Sequence, residues 1–441
     1  MVMKLLAGVF RQVSLKKHGL LADSWIYLTS NILNAALPFF LLPILTRYLS
    51  PAEYGVIAMF QVTLSVVGVF VGLSVHGAAS RQYYEREAGV DMGGYISSCL
   101  QILLGSTCVL LLIIYGLKSY LSQLIGIPEQ WILMAVVVSG ATFVIQLRLG
   151  QWQVRKLSVR YGAFQISQSV LNMSLSLWLV VVMSYGAEGR LWGLAVSILF
   201  FGLMAFIYLY RSNLLKFSWR LDYIKHAISF GIPLIPHMAG AVMLMMLDRF
   251  MITHYLGLEQ TGIFMVAVQL AFIMGIVADA INKAYVPWLF ERLKLEDENV
   301  NKKIVVGTYA YFAVALLLAG AITLVAPWIV SWLVGRQYSE AASVLGWLAL
   351  GQAFHGMYLM VTNYIFFSQR TGGLSIVTLF SGALHLLIVY LLVTRLGIEG
   401  VAIAYTISMI VRFILVWIVA QQLHSMPWLN FFNLREALNK K

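Results

Sequence analysis

Apolar stretches of about 20 residues recur along the whole chain, and each is long enough to cross a bilayer as a helix. About twelve are legible: Trp25–Thr46, Val56–Val75, Tyr95–Leu117, Trp131–Arg148, Tyr161–Tyr185, Leu191–Tyr210, Ala227–Tyr255, Gly262–Asn282, Ile304–Pro327, Ala341–Phe367, Leu374–Thr394 and Gly400–Gln421. Only 11% of residues are charged and 61% are hydrophobic, against roughly 25% charged in a soluble protein. The expected fold is an all-α polytopic membrane protein. In hydrocarbon every backbone polar group must be satisfied within the segment, which leaves helices as the spanning elements here.

Lys16 and Lys17 precede the first span, which is too long for a signal-peptide core and has no small-residue cleavage site. No cleaved leader is expected. The net charge of +12 raises nucleic acid as a partner, but its distribution argues for topology instead. With the N-terminus inside, the cytoplasmic segments carry 24 of the 30 Lys and Arg residues. The opposite loops carry Arg47, Lys118, Arg190, Arg336 and Arg395, and Arg249 lies within a span. Both termini are therefore expected in the cytoplasm. Cys99 and Cys108 are nine residues apart on one helix, about 13 Å, too far for a disulfide. They read as packed or lipid-facing thiols.

The chain repeats itself. Thr46-Arg-Tyr-Leu-Ser-Pro-Ala-Glu-Tyr-Gly55 matches Thr253-His-Tyr-Leu-Gly-Leu-Glu-Gln-Thr-Gly262 at Thr, Tyr, Leu and Gly. Arg160-Tyr-Gly-Ala matches Arg370-Thr-Gly-Gly, and Gly186-Ala-Glu-Gly189 matches Gly397-Ile-Glu-Gly400. Six spans separate the copies, so both enter the membrane from the same side. This predicts two pseudo-symmetric six-helix lobes, 1–213 and 214–441, around a central cavity; parallel repeats of this kind in transporters place the substrate between them. The basic, aromatic stretch Arg211–His226 joins the copies, either as an amphipathic segment along the interface or as a plain loop. Pro38 and Pro43, then Pro233 and Pro236, mark the first helix of each copy. They predict bends, either static or changing as the lobes rock.

Asp248 and Arg249 stand in the apolar run MLMMLDRFMITHYLG. A charge in hydrocarbon is costly, so such residues face each other or a water-filled cavity. A cavity-facing Arg249 would attract an anion, with Asp248 holding it in place. Asp279 precedes Lys283 by four residues, so the two share a helix face and either pair or line a cavity. Under the repeat, Lys283 falls on His76 and His254 on Arg47, which would give a cationic seam. Arg81 and Arg148 lie near helix ends, where snorkelling to headgroups competes with a site role. His237, His355 and His385 lie in spans, where neutral hydrogen-bonded histidine competes with proton coupling. Met243, Met245, Met246 and Met251 surround Asp248-Arg249, as packing filler or as a pliable wall. Trp25, Trp131, Trp288 and Trp328 fall at span ends, as an aromatic belt would. There is no Gly-rich phosphate loop, HExxH or CxxC motif, and no loop of catalytic size. Neither a cofactor nor a metal is expected.

LPFFLLPILTRYLSPAEYGVIAMFQ resembles the opening of the bacterial polysaccharide biosynthesis (Wzx-type) flippases. ISFGIPLIPHMAGAVMLMMLDRFMITHYLGLEQTGIFMVAVQ resembles their seventh and eighth helices. The resemblance implies the multidrug/oligosaccharidyl-lipid/polysaccharide exporter fold. It also implies a substrate, an oligosaccharide on undecaprenyl diphosphate, turned from the cytoplasmic to the periplasmic leaflet of the inner membrane. A periplasmic polymerase and a chain-length regulator would be partners. Carried onto this chain, the cationic site of the family points to Arg249, Lys283, Arg81, Arg148 and Arg47, oriented by Asp248 and Asp279. A cation-coupled drug exporter of the same superfamily is the alternative, but its coupling acid early in the first helix has only Asp23 to match it. A membrane glycosyltransferase or polymerase would need a large external loop that this sequence lacks.

Overall fold

The computed structural model describes Ser30 and residues 39–428, except 217, 369 and 371. Most of the first predicted span, with Asp23, Trp25 and Pro38, lies outside the described residues. So do the side chains of His237, Met243 and Met245. The described chain is almost entirely helical. In order the helices are α1 (Phe39–Tyr48), α2 (Pro51–Phe70), α3 (His76–Gln82), α4 (Met92–Ile125), α5 (Glu129–Val154) and α6 (Ser158–Leu177). They continue with α7 (Gly186–Arg211), α8 (Leu221–Gly231), α9 (Leu234–Leu293), α10 (Glu298–Leu333), α11 (Ala341–Phe367) and α12 (Gly372–Leu423).

Among the described residues, nine helical segments are long and apolar enough to cross a membrane. Two of these are hairpins. Thr253 and Thr261, eight residues apart in α9, hold their hydroxyl oxygens 2.8 Å apart. On a continuous helix they would be separated by about 12 Å. The chain therefore folds back at Gly257, whose φ of 89° a side chain would oppose. α12 folds back at Gly397, with φ 60°, so that Gly400 lies against the backbone of Leu392. The resulting limbs 234–256, 258–293, 372–396 and 398–423 restore the crossings expected from the apolar pattern. This is a multi-pass membrane protein.

The chain divides into two compact units, one ending at Phe250 and the next beginning at Met251. In the first unit, α2 starts with a capping box. Ser50 Oγ accepts from the Glu53 amide, while Glu53 accepts from the Ser50 amide at 2.8 Å. Glu53 also reaches the Gly186–Gly189 turn, accepting from the Ala187 amide at 3.1 Å. Gly186 has φ 56°, and a Cβ there would fall on Glu53. Gly186 and Gly397 are the first glycines of the repeated Gly-x-Glu-Gly motif, and both are in the left-handed region. The last glycines match too: a Cβ on Gly189 would meet Leu179 backbone carbon at 3.0 Å, and one on Gly400 would meet Leu392 oxygen at 2.6 Å. The sequence repeat is thus a repeat of turn geometry.

α2 gives way at Val71–Ser74 to a single 3-10 stretch in which Gly72, Leu73 and Ser74 all have positive φ. The predicted continuous span Val56–Val75 is broken there. Likewise the predicted span Ala227–Tyr255 is two helices. α8 ends at Gly231, packed on the Leu73 carbonyl, and α9 begins after Pro233. Pro233 and Pro236 therefore start a helix rather than bend one, since proline in a first helical turn removes no intrahelical bond. The linker docks on the start of α4: Lys216 pairs with Asp91 at 3.1 Å, and Tyr223 Oη accepts from the Asp91 amide. Trp219 and Leu221 stay exposed beside it, as an interfacial segment requires.

Cys99 is packed, with its thiol toward the Val75 carbonyl, and Cys108 is exposed on a face of α4 rich in Leu and Val. Trp328 is 71% exposed, whereas Trp131 is buried against Phe60 and Trp192 and belongs to the core instead of a belt.

Candidate functional site

Charged groups inside the apolar units are few, and their partners decide what they can do. In the first unit, Arg148 on α5 is 4% exposed. Its Nη2 donates to Ser212 Oγ at 3.0 Å, and its guanidinium lies 4.5 Å over the Trp152 ring. Arg155 and Arg160 are in electrostatic range, and no carboxylate bonds it among the described residues. Its Nε is enclosed without a hydrogen-bond partner. Snorkelling is therefore the wrong account of Arg148. The side chain turns inward and is tethered to the end of α7.

Asp248 and Arg249 on α9 are both buried and both engaged by neighbours. His76 is half-buried, with its ring edge-on to Phe143 at 5.6 Å. It sits directly after the strained Val71–Ser74 turn, where sparsely populated backbone marks a functional candidate. Arg81 and Arg47 are exposed at helix ends.

In the second unit, of the two alternatives for Asp279 and Lys283, the ion pair does not form. Lys283 is exposed, while Asp279 is half-buried and in electrostatic range of Tyr311 and His355. Sharing a helix face was not sufficient, because the packed face of α9 carries Asp279 toward α10 and α11 and leaves Lys283 at its edge. His355 stacks on Tyr358 at 5.9 Å, and Tyr358 Oη accepts from Arg412 Nη2 at 3.0 Å. The Arg412 guanidinium also lies 4.1 Å over the same ring. Nearby, Asn363 donates to Asn282 at 2.8 Å, and a Cβ at Gly356 would sit 2.5 Å from Tyr311 Oη. One turn away, Gln352 donates to Tyr405 at 2.9 Å and His385 meets Ser408 at 3.2 Å. Asp279, His355, Tyr358 and Arg412 thus form one polar cluster across α9, α11 and α12.

Arg148 and Arg412 share a mode of support. Each guanidinium is held by an aromatic face and a neutral hydroxyl. A carboxylate partner would cancel its charge; a ring and a hydroxyl orient it and leave the charge available. Sequence reading missed Arg412, counting it among the 24 cytoplasmic Lys and Arg residues although it falls inside the expected span Gly400–Gln421. The signal was present: VRFILVW places it between apolar residues on both sides, well before the helix ends.

The sequence profile of the family described as "Polysaccharide biosynthesis protein" matches residues 20–293. The chain belongs to that family. Two Haemophilus influenzae proteins are similar to this chain. An "Uncharacterized membrane protein" is 28% identical over 377 residues, covering 83% of this chain and 89% of its own. "Lsg locus putative protein 1" is 26% identical over 361 residues, covering 78% and 84%. Among solved structures, the lipid II flippase MurJ in an inward closed conformation superposes with TM-score 0.74 at 13% identity, covering 92% of this chain and 89% of MurJ. An inward-facing multidrug resistance MATE family transporter of the MOP superfamily superposes with TM-score 0.65 at 16% identity, covering 91% and 96%. This polysaccharide biosynthesis family member therefore has the fold those proteins share.

Proposed function

We propose that this protein is a lipid-linked oligosaccharide flippase. It turns an undecaprenyl-diphosphate-linked repeat unit from the cytoplasmic to the periplasmic leaflet of the bacterial inner membrane. The product feeds a surface polysaccharide: O-antigen, capsule or exopolysaccharide. Lobes 1–213 and 214–441 act by alternating access, with both termini cytoplasmic, and no bond is made or broken. A periplasmic polymerase and a chain-length regulator would take the product onward. A sugar diphosphate cannot cross hydrocarbon unaided, because its charges and hydroxyls would lose their water.

The observation that carries the reading is the pair of arginines held on neutral partners, buried Arg148 and half-buried Arg412. Desolvated cations of this kind favour an anion and disfavour the cationic drugs of an exporter. Arg249 with Asp248, Lys283, Asp279, Arg47, Arg81 and His76 complete the proposed headgroup path. An inside-negative membrane assists the outward step by about 2.3 kcal/mol per negative charge per 100 mV.

The test is purified protein in liposomes carrying undecaprenyl-diphosphate oligosaccharide, with an impermeant glycosidase reading sugar exposure. Protein-dependent exposure that responds to an imposed potential supports the proposal. Folded protein that exposes no native substrate, yet drives ion-dependent dye efflux, overturns it in favour of the exporter.

A further inference from the structure

Arg190 near the start of α7 is 7% exposed. Its Nη1 donates to Asn172 Oδ1 at 2.6 Å and to Ser176 Oγ at 2.7 Å, both on α6. A guanidinium has five N–H donors in a rigid fork. The three on Nε and Nη2 bond to nothing among the described residues, and neither nitrogen is among the fully enclosed polar atoms left without a partner. The unspent edge of the fork is therefore not sealed off, although the side chain as a whole is 7% exposed.

Carboxylates lie at the same end of the unit but are spent elsewhere. Glu53 caps α2 and accepts from Ala187, and Glu188 accepts from Gln130 at 3.3 Å. The titratable group in electrostatic range of Arg190 is Tyr54. Arg190 is thus a fixed, uncompensated cation among an amide and hydroxyls. Its fork is held in place by the tight contact of α6 with α7, where a Cβ at Gly193 would lie 2.5 Å from Ser176 Oγ.

Its position relative to Arg148 adds the decisive point. Arg148 is bonded to Ser212, at the far end of the helix on which Arg190 stands. The 22 residues between Arg190 and Ser212 span about 33 Å along α7, close to the thickness of the hydrocarbon core. The same unit therefore carries one uncompensated guanidinium at each membrane face.

We propose that Arg190, with Asn172 and Ser176, is an anion station on the release side. It takes the diphosphate of the lipid-linked substrate through the Nε/Nη2 edge, after Arg148 has taken it on the loading side. This rests on the flippase reading and extends it to a residue outside the predicted path. The Nε/Nη2 edge matches two oxygens of a phosphate group in the bidentate geometry that arginine favours.

Asn172→Asp is the informative variant. It places a carboxylate where the amide now accepts from Arg190, so it strengthens the structural tie while cancelling the charge. A purely structural Arg190 would keep full transport in this variant. As a station it loses about tenfold or more in the rate of sugar exposure, as expected when a charge-assisted contact goes. Arg190→Gln loses as much, and Arg190→Lys, which keeps the charge without the fork, loses less. Wild-type rates in Asn172→Asp and Arg190→Gln overturn the station and leave the flippase standing. If the wild type itself exposes no sugar, the flippase reading fails and the station is judged by binding alone. Inorganic diphosphate then raises the melting temperature of the wild type, relative to chloride at equal ionic strength, more than that of Asn172→Asp. Equal shifts overturn the station. An effect of Asn172→Asp confined to membranes containing anionic phospholipid overturns it in favour of a lipid headgroup.

Discussion

Tyr358→Phe isolates the single hydroxyl that orients Arg412. The ring is kept, so the cation–π contact at 4.1 Å survives, and only the 3.0 Å bond from Arg412 Nη2 is lost. Hydrogen bonds to charged groups contribute about 1.5–3 kcal/mol. It is the one hydrogen bond Arg412 makes among the described residues, and its Nε is already enclosed without a partner. If transport needs Arg412 in this pose, the loss sets an upper limit of roughly 10- to 150-fold in rate. The decisive assay is a double-mutant cycle on the rate of sugar exposure in proteoliposomes. In an Arg412→Gln background the hydroxyl has no charge to orient, so Tyr358→Phe should change little more, giving a coupling energy of about 0.5–3 kcal/mol. Additive effects of the two substitutions, or a Tyr358→Phe variant as fast as wild type, would refute the claim that the ring hydroxyl acts through the guanidinium.

Other substitutions test the turns and the linker. Gly400→Ala forces a Cβ to 2.6 Å from a backbone oxygen that cannot swing away, and should destabilise by about 1–3 kcal/mol in detergent unfolding. Gly189→Ala, at 3.0 Å, should cost less in the same assay. Glu53→Gln leaves one amide acceptor for the Ser50 and Ala187 amides; it should cost about 0.5–2 kcal/mol in the same melting experiment, and Glu53→Ala more. At Asp91, burial raises the carboxyl pKa, but the Lys216 hydrogen bond and charge, with the Gly93 and Gly94 amides, outweigh it and hold it below 3.8. Its contribution is thus complete above pH 3.8 and lost as pH falls through the lower folded value. Asp91→Asn should melt below wild type by a constant margin at neutral and mildly acid pH, and the margin should close only below 3.8.

The membrane crossings were legible because hydrocarbon imposes length and apolarity on every span, and the repeat was legible because its turns need glycine. Gly186 and Gly397 sit at matching positive φ, so the motif that carries them is a geometric constraint visible as letters. The break at Val71–Ser74 was not legible: Val-Gly-Leu-Ser is as apolar as the helix around it, and the kink depends on Phe143 and Ser106 from other helices. Side-chain partners were the least legible. Asp279 and Lys283 have the spacing of an ion pair, yet packing turns one inward and leaves the other exposed. Arg148 looked like a residue at a helix end because its partner, Ser212, is 64 positions away.

Why a buried arginine should be supported by a ring and a hydroxyl, when a carboxylate would bind it more tightly, follows from what a carrier must do. Burying a guanidinium costs several kcal/mol, and a carboxylate offsets most of that while neutralising the field. A neutral cradle offsets less, so the folded protein is left with a cation that still gains from an anion. That residual gain is the attraction available to a diphosphate. It must also stay modest, because a carrier that binds its cargo too well at one face cannot release it at the other. In the proposed path Arg148 and Arg190 divide the attraction between two ends of one unit, the first held by one hydrogen bond to a neutral group and the second by two. A single carboxylate-caged arginine at mid-membrane would have offered no attraction, and a bare cluster of arginines there would have offered too much. In the second unit His355 lies in electrostatic range of both Arg412 and Asp279, and no ion pair to Arg412 forms among the described residues.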